Sequence, residues 1–217
     1  MRKLFYLGFV IILFASCEKD DSNSINEIVE KTDYLPLDIG NYWIYQHFDI
    51  DSLGNETERD RIDSVIINRD TIINDNQYFI LEGTNYPYNG GAWDVIEILR
   101  DSCGYIVNEK GQIKFSEDNF SDILASKIEV INDDTIYTLT YQMEIVTNPV
   151  TIPAGEFEVL NFKGTVTTPQ NIEGIKNPRY LNNLFSKNVG KVLQTYFFVH
   201  SSIISEKRLV RYKIEKE

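Results

Sequence analysis

The stretch that decides the fold is Ile136-Tyr137-Thr138-Leu139-Thr140-Tyr141-Gln142-Met143-Glu144-Ile145. From Tyr137 onward, apolar or aromatic side chains alternate with polar ones. Because successive side chains of a strand point to opposite faces, this alternation predicts one face on the core and one in water. Val210-Arg211-Tyr212-Lys213-Ile214 repeats the pattern, with Val210, Tyr212 and Ile214 on the apolar face. A sheet with one wet face is typical of antiparallel β proteins.

Turn residues separate further strand-like runs along the chain. We predict strands over 42–50, 62–67, 71–73, 78–81, 95–99, 105–107, 113–115, 157–166 and 192–204. Turns are expected at 51–55, 68–70, 74–76 and 108–111, where Asn, Asp and Gly cluster. The best candidate for a short helix is 118–126, and 167–188 should form a long irregular loop. The predicted fold is all-β with minor α, a single curved antiparallel sheet that is either half-barrel or sandwich-like.

Composition supports a strand-rich core and excludes one class of partner. The chain has 13 Tyr and 12 Phe, and strands favour aromatic residues. Its net charge is −12, and removal of Arg2 and Lys3 with a signal peptide would leave 19 basic against 33 acidic residues, or −14. Nucleic-acid binding needs basic patches, so we expect no nucleic-acid partner.

The N-terminus predicts export from the cytoplasm. Arg2 and Lys3 precede an apolar run that is too short to span a bilayer, and small residues lead into Cys17. The segment Phe14-Ala15-Ser16-Cys17 resembles the bacterial lipobox, although Phe14 stands where an aliphatic residue is usual. The resemblance implies a signal peptide over 1–16, lipidation of Cys17 by acyl chains such as palmitate, a flexible tether over 17–31 and a β domain over 32–217. The alternatives are a transmembrane anchor and an ordinary signal with a chance cysteine.

The residues after Cys17 suggest where in the cell envelope the protein is located. Glu18, Lys19, Asp20 and Asp21 resemble the short acidic export signal of surface lipoproteins of the Bacteroidetes. That resemblance implies an outer-membrane protein, anchored by its lipid and facing the cell surface. The alternative is the periplasmic face, with the acidic segment serving only as a soluble spacer.

Two further segments resemble one family. The run Tyr34-Leu35-Pro36-Leu37-Asp38-Ile39-Gly40-Asn41-Tyr42-Trp43 is similar to the opening of many uncharacterised Bacteroidetes lipoproteins. Ile152-Pro153-Ala154-Gly155-Glu156-Phe157-Glu158-Val159 and Asn188-Val189-Gly190-Lys191-Val192 resemble their second half. The resemblance implies a location and a curved sheet, comparable to the half-barrels of lipoprotein carriers, and it names no reaction.

Few residues suit catalysis or metal binding. The chain has two histidines, and it contains no nucleophile elbow, phosphate-binding loop or dinucleotide motif. His47 and Asp49 would share a strand face as half a metal site, but a partly exposed strand-end histidine is the preferred interpretation. Cys103 has no evident base for nucleophilic catalysis. We therefore expect no catalytic residue, no metal and no cofactor.

Two acidic patterns also have plain interpretations. Segment 49–60 partly matches a calcium loop, but Leu53 stands where an EF-hand needs an oxygen ligand, which favours a simple hairpin. Glu156 and Glu158 would lie about 7 Å apart on one strand face. Paired carboxylates can hydrolyse glycosides, but such pairs usually face each other across a cleft. A solvated strand face is therefore the preferred interpretation.

Two sets of surface residues are candidates for contact or modification. Tyr86, Tyr88 and Trp93 surround Asn89-Gly90-Gly91, and exposed aromatics on such a loop could stack on a sugar or peptide. Ser52, Ser64, Thr71 and Thr135 each follow an Asp and precede an apolar residue, which resembles the Bacteroidetes O-glycosylation acceptor. Asp and Ser or Thr also cluster at turns, so the pattern is short and common.

These observations leave three functions to compare. The leading hypothesis is a non-enzymatic lipoprotein that binds or scaffolds at the cell envelope, with a protein or glycan partner not identified. The second is a carrier of a hydrophobic ligand on the concave side of the sheet. The third is an envelope hydrolase. A large apolar cavity would favour the carrier, a filled core the scaffold, and clustered carboxylates or a histidine in a cleft the enzyme.

Overall fold

The prediction of an all-β antiparallel fold is confirmed. A computed structural model describes residues 32–86, 89–171 and 173–215, and these residues form strands and connecting turns without a helix. The strands are β1 (Tyr42–Ile50), β2 (Glu56–Ile73), β3 (Asn76–Gly83), β4 (Asp94–Ser102), β5 (Tyr105–Asn108), β6 (Ile113–Ser116), β7 (Ala125–Ile131), β8 (Asp134–Ile145), β9 (Val150–Ile152), β10 (Gly155–Phe157), β11 (Leu160–Thr167), β12 (Arg179–Leu181), β13 (Asn183–Ser186), β14 (Gly190–Phe197) and β15 (Ile204–Lys213).

One large sheet forms the body of the domain. Its strand order is β6-β5-β4-β3-β2-β1-β15-β14-β13-β11-β8-β7, with β12 paired to β11, and the hairpin β9–β10 forms a separate small sheet. The sheet curls so far that β6, at one end of the order, lies against β11, near the other end. Phe115 of β6 packs on Phe185 of β13 with ring centroids 4.8 Å apart. The result is barrel-like and nearly closed, which favours the half-barrel over the sandwich.

The concave face holds the core. Trp43 and Tyr45 of β1 are buried at alternate positions, and Val65 and Ile67 follow the same rule on β2. On β8, Leu139 and Met143 are buried as their alternation predicts, whereas Ile145 at the strand end is exposed. Period-two burial on the neighbouring strands β1 and β2 shows that one face of this part of the sheet is covered.

The predicted turn at 68–70 is wrong, because β2 runs without a break through it. The register of β2 against β3 shifts between Ile67 and Arg69, as in a β-bulge. Asn68 and Arg69 both donate side-chain hydrogen bonds to Glu82 on β3. Turn-forming residue types therefore mark an irregularity within a long strand here.

The predicted helix over 118–126 is also wrong. The segment forms bends, and β7 begins at Ala125. The Asn119 side chain accepts a hydrogen bond from the backbone N–H of Asp122, and the Asn119 N–H donates to Ser116 Oγ. Local bonds of this kind compete with the backbone bonds that a helix needs.

The stretch 167–188, predicted as an irregular loop, contains β12 and β13. Asn183 explains the error, because its backbone N–H bonds the side chain of Asn161 and its own amide bonds the carbonyl of Phe162. Asparagine thus serves here as a buried strand residue. The single strand predicted over 192–204 is in fact the end of β14, a turn, and the start of β15.

The predicted signal peptide (1–16), the predicted lipidation site Cys17 and the predicted tether (17–31), with the candidate export residues Glu18 to Asp21, lie outside the described residues. Among the described residues, no helix has the length and apolar character that crossing a membrane requires.

Candidate functional site: a cavity inside the curled sheet

A cavity of about 360 Å³ lies inside the curl of the sheet. This volume falls in the range of small-molecule sites, roughly 300–1,000 Å³. Much of the wall is apolar or aromatic, and comes from strands in both halves of the sheet: Leu35, Trp43, Tyr45, Val65, Leu81, Ile96, Leu99, Ile106, Tyr141 and Phe185. The alternation of the strands places these side chains on the inner face, so the cavity is a product of the core pattern itself.

Three lysines interrupt the apolar wall. Lys114 of β6, Lys191 of β14 and Lys207 of β15 line the cavity together with Glu97 of β4. The ammonium of Lys114 lies 3.7 Å from a carboxylate oxygen of Glu97. Glu97 keeps 27% of its side chain accessible, which a cavity large enough to admit solvent explains. The cavity therefore carries more ammonium than carboxylate groups.

Lys207 is the most buried of the three, with 4% of its surface exposed. Its ammonium donates a 3.3 Å hydrogen bond to the Asn85 side-chain oxygen and lies over the rings of Tyr45 and Tyr196, at 5.1 and 5.7 Å. Within the described residues it forms no ion pair with a carboxylate. A buried ammonium held only by a neutral amide and ring faces is a strong candidate for contact with an anion.

Lys191 has a similar environment. Its ammonium lies 5.4 Å from the ring centroid of Phe185, and in the described part of the chain it makes no ion pair. The hydroxyl of Tyr45 donates a 2.8 Å hydrogen bond to the Lys191 carbonyl, which fixes the backbone at this point. Two cations on neighbouring strands thus face the same space.

The pKa values report this crowding of charge. The pKa of Lys207 is lowered to about 7, chiefly by burial and also by repulsion from Lys191, against the opposing pull of Asp63 and Glu97. Burial also lowers the pKa of Lys191. Burial would raise the pKa of Glu97, but the nearby Lys191, Lys114 and Lys207 outweigh it and the pKa falls. The lowered pKa of Glu97 indicates a positive potential around its carboxylate.

A buried hydrogen bond between a histidine and an aspartate lies beside the cavity. His47 Nε2 lies 2.8 Å from a carboxylate oxygen of Asp63, and the backbone N–H of Tyr86 donates to the same carboxylate. His47 is 3% exposed, so the prediction of a partly exposed histidine is wrong. The reason is the alternation of β1, which places position 47 on the same inner face as Trp43 and Tyr45.

His47 and Asp49, the candidate half of a metal site, each bind other partners. Asp49 accepts a hydrogen bond from Ser205 Oγ at 2.7 Å and pairs with Arg59 at 3.2 Å, while His47 is engaged by Asp63. The described residues contain no group of three or more His, Cys, Asp or Glu side chains placed to hold a metal ion.

An apolar cleft of about 710 Å³ adjoins the cavity. It lies where β6 and β7, the two end strands of the sheet order, approach without pairing, and it shares Lys114, Tyr141 and Gln194 with the cavity wall. Its aromatic walls are ordered: Tyr141 stacks on Phe162 at 4.8 Å and Tyr137 meets Phe197 edge-on at 5.3 Å. Leu139, Leu181 and Ile113 complete the apolar lining. The cavity and the cleft share part of a wall, and the cleft is the more apolar of the two, although Lys127 and a few polar side chains also line it.

The predicted aromatic contact loop is partly packed. The guanidinium of Arg61 lies 3.9 Å from the ring centroid of Tyr86, and His47 meets the same ring edge-on at 5.9 Å. Trp93 is 57% exposed, and Tyr88 lies outside the described residues. A role for Tyr86, Tyr88 and Trp93 in ligand contact stays a prediction.

The glycosylation candidates differ in access. Ser52 and Thr135 are exposed, whereas Ser64 and Thr71 are half-buried within β2. Their modification stays a prediction.

The remaining candidates lie outside the cavity wall. Glu156 on β10 and Glu158 just after it are exposed, and Cys103 is in the exposed turn between β4 and β5. The loop after Asp49 is the expected hairpin, because the Asp51 carboxylate accepts backbone hydrogen bonds from Leu53 and Asn55.

Sequence reasoning missed the three lysines. Lys114 follows Ile113, Lys191 follows Gly190 and Lys207 follows Glu206, and none of these short runs forms a motif. The one available signal was position: Lys207 is two residues before Leu209, and residues two apart in a strand share a face.

Comparison with known proteins gives a distant likeness in fold. No protein-family model and no curated protein matches the chain. One similar solved structure is a candidate lipoprotein from Parabacteroides distasonis, 14% identical, covering 85% of this chain and 100% of that chain with a TM-score of 0.44. Another is a candidate exported protein with a YmcC-like fold from Bacteroides fragilis, 13% identical, covering 83% and 99% with a TM-score of 0.43. At these values the likeness carries no argument about activity or ligand.

Proposed function

We propose that this chain is a non-enzymatic, lipid-anchored protein of the cell envelope that holds a small ligand inside its curled sheet. One observation carries the proposal: a cavity of about 360 Å³ sits in the centre of the fold and adjoins an apolar cleft at the seam between β6 and β7. A scaffold with a filled core would leave no such space. The geometry therefore favours the carrier over the scaffold.

The envelope location rests on the N-terminal sequence. A short apolar run after Arg2 and Lys3 ends in a cysteine, and the acidic Glu18-Lys19-Asp20-Asp21 follows directly. Lipidation of Cys17 would hold the domain at a membrane, since several acyl chains anchor stably. The acidic segment favours the outer membrane and its outward face.

The non-enzymatic part rests on the way in which the reactive groups of the described residues are engaged. His47, the buried histidine, is held by Asp63, and the carboxylates of Glu156 and Glu158 face solvent away from the cavity. Glu97, the carboxylate in the cavity wall, is surrounded by lysines that keep it ionised. An ionised carboxylate beside ammonium groups suits charge recognition better than proton transfer.

A neutral fluorescent probe tests the cavity directly. The mature chain from residue 17, with Cys17→Ser to prevent lipidation, is titrated with N-phenyl-1-naphthylamine. We expect saturable binding at one site per chain. Gln194→Trp, in the wall that cavity and cleft share, should weaken binding at least about tenfold, because the larger indole would take up space at that wall.

The control is Ile72→Trp on the exposed face of β2, which should bind the probe as the parent does. Thermal unfolding of both variants shows that the sheet is intact. Absence of saturable binding, or equal binding by a folded Gln194→Trp variant, overturns the proposal.

A further inference from the structure

We propose that the ligand is a single-chain amphipathic anion, with its charged head between Lys191 and Lys207 and its apolar chain directed into the cleft between β6 and β7. This inference rests on the proposed ligand-binding function and names the chemistry of the ligand. It follows from the distribution of charge and apolar surface over the cavity and the adjoining cleft, which share part of a wall.

The first argument is charge balance. Three ammonium groups, of Lys114, Lys191 and Lys207, line the cavity against the carboxylate of Glu97. Asp63, the other carboxylate that acts on Lys207, is already engaged by His47. A buried charge without an opposite partner is costly, and an anionic head placed between two lysines removes that cost. The cavity therefore selects an anion in a chain whose net charge is −12.

The second argument is the position of the lysines within the space. Lys191 and Lys207 line the cavity and do not line the cleft, while Lys114 stands in the wall that both share. Beyond it, the cleft is lined largely by Leu139, Leu181 and aromatic rings, and its other cation, Lys127, is already paired with Glu129 at 2.7 Å. A ligand with a charged head and a hydrocarbon chain matches this arrangement, with the head in the cavity and the chain in the cleft.

The third argument is the unpaired seam. β6 and β7 are the end strands of the sheet, and the cleft between them is the one place where the curl does not close by backbone hydrogen bonds in the described chain. An apolar chain lying there would cover side chains of both edges. Each CH₂ group that is removed from water favours binding, so a longer hydrocarbon chain should bind more tightly.

The test compares head groups on one hydrocarbon chain. Tetradecanoate, tetradecyl phosphate, tetradecan-1-ol and tetradecylammonium, each below its micelle concentration, compete with bound N-phenyl-1-naphthylamine at pH 6.5. We expect the two anions to displace the probe at concentrations at least about tenfold lower than the alcohol, and the ammonium to be the weakest. The ratio of carboxylate to phosphate tells which anionic head fits.

Paired substitution locates the head. Lys191→Met with Lys207→Met should lower the affinity for the preferred anion at least about tenfold and leave probe and alcohol binding within about twofold. The control is Lys110→Met, which removes a lysine charge from an exposed turn and should change none of the three. Probe binding without preference for anions overturns this inference and leaves the ligand-binding proposal intact. Absence of probe binding overturns the ligand-binding proposal, and with it this inference.

Discussion

The indole Nε1 of Trp43 donates a 2.6 Å hydrogen bond to the carbonyl oxygen of Val189, 146 residues further along the chain. Trp43 ends the first segment that resembles Bacteroidetes lipoproteins, and Val189 lies in the last one. The two segments therefore meet at the cavity wall. This contact meets one packing requirement, since the buried indole N–H of Trp43 needs a hydrogen-bond acceptor.

Gly190 is the residue that allows this contact. A Cβ at position 190 would lie 3.1 Å from Trp43 Nε1 and 3.3 Å from Leu35 Cδ1, and the backbone has φ of +99°. We predict that Gly190→Ala lowers the free energy of unfolding by about 2–3 kcal/mol through backbone strain and displacement of the indole. Urea unfolding followed by tryptophan fluorescence measures the loss.

The matched control for Gly190 is Gly54→Ala, at φ of +86° in an exposed turn where an added Cβ meets nothing within 4 Å. It should lose only the backbone component, about 1 kcal/mol. Equal losses for both substitutions would show that the close approach to Trp43 has no energetic role.

The pair His47–Asp63 gives a second stability prediction. Asp63 is fully buried and accepts hydrogen bonds from His47 and from the backbone of Tyr86. Asp63→Leu should lower the free energy of unfolding by about 3 kcal/mol, because two buried donors lose their acceptor. Asp63→Asn keeps an acceptor and should lose less. Asp60→Leu, on the exposed part of the same strand, is the control and should stay within about 0.5 kcal/mol. A folded Asp63→Leu variant as stable as the control would contradict the assignment.

The fold was predictable in class and in most strands, because period-two alternation is local information. The strand Tyr42–Ile50 and the hairpin that follows it agree with the sequence prediction. The irregularities were not predictable, because bulges depend on the pairing of two strands. At the Ile44/Tyr45 register shift, Trp43 pairs with Tyr212 but Tyr45 pairs with Leu209. The assignment of inner and outer positions that holds at Tyr212 is therefore reversed for the residues of β15 that precede the shift.

That register shift also explains why the site was missed. If the predicted apolar face of Val210, Tyr212 and Ile214 continued toward the start of β15, Lys207 and Leu209 would lie on the opposite, solvent-facing side. In the structure both residues are buried, and Leu209 has no exposed surface. Tyr212, predicted on the core face, is 37% exposed near the strand end. A cavity formed by lysines on β6, β14 and β15 depends on the closure of the whole sheet, and no local pattern records it.

Lys207 gives a prediction about pH. Its folded-state pKa of about 7 lies below the ordinary lysine value, so the buried ammonium opposes folding. The groups that face it are Lys191, Glu97, Asp63 and Asn85. The unfavourable contribution is complete below pH 7 and fades as the pH rises toward 10.5, where the unfolded chain also loses the proton. Without ligand, Lys207→Met should therefore raise the melting temperature by at least about 3 °C at pH 6 and by less at pH 9.

Lys110→Met serves as the control for charge alone, since Lys110 is in an exposed turn. Differential scanning calorimetry at the two pH values gives the comparison. A variant that is less stable than the parent at pH 6 would mean that the Asn85 and ring contacts outweigh burial of the charge.

Glu97 gives the sharpest prediction, because it should act in opposite directions on stability and on ligand affinity. Its carboxylate balances Lys191, Lys114 and Lys207 in the empty cavity, and their attraction lowers its pKa in spite of burial. Glu97→Gln should lower the free energy of unfolding of the ligand-free protein by about 1–2 kcal/mol at pH 7. Because the folded-state pKa is lowered, this loss should be present above the unfolded value of 4.5 and should shrink as the pH falls below it.

The same substitution should strengthen binding of an amphipathic anion, because the ligand head no longer competes with Glu97 for the lysines. We expect affinity for the preferred anion to rise about three- to tenfold, and the ligand to restore the melting temperature of Glu97→Gln to that of the loaded parent. Glu109→Gln, which removes a carboxylate from the exposed turn beside Lys110, should change neither quantity. If Glu97→Gln instead weakens binding of the anion, then Glu97 contacts the ligand as an acceptor, and the head group must carry a hydrogen-bond donor in place of a full negative charge.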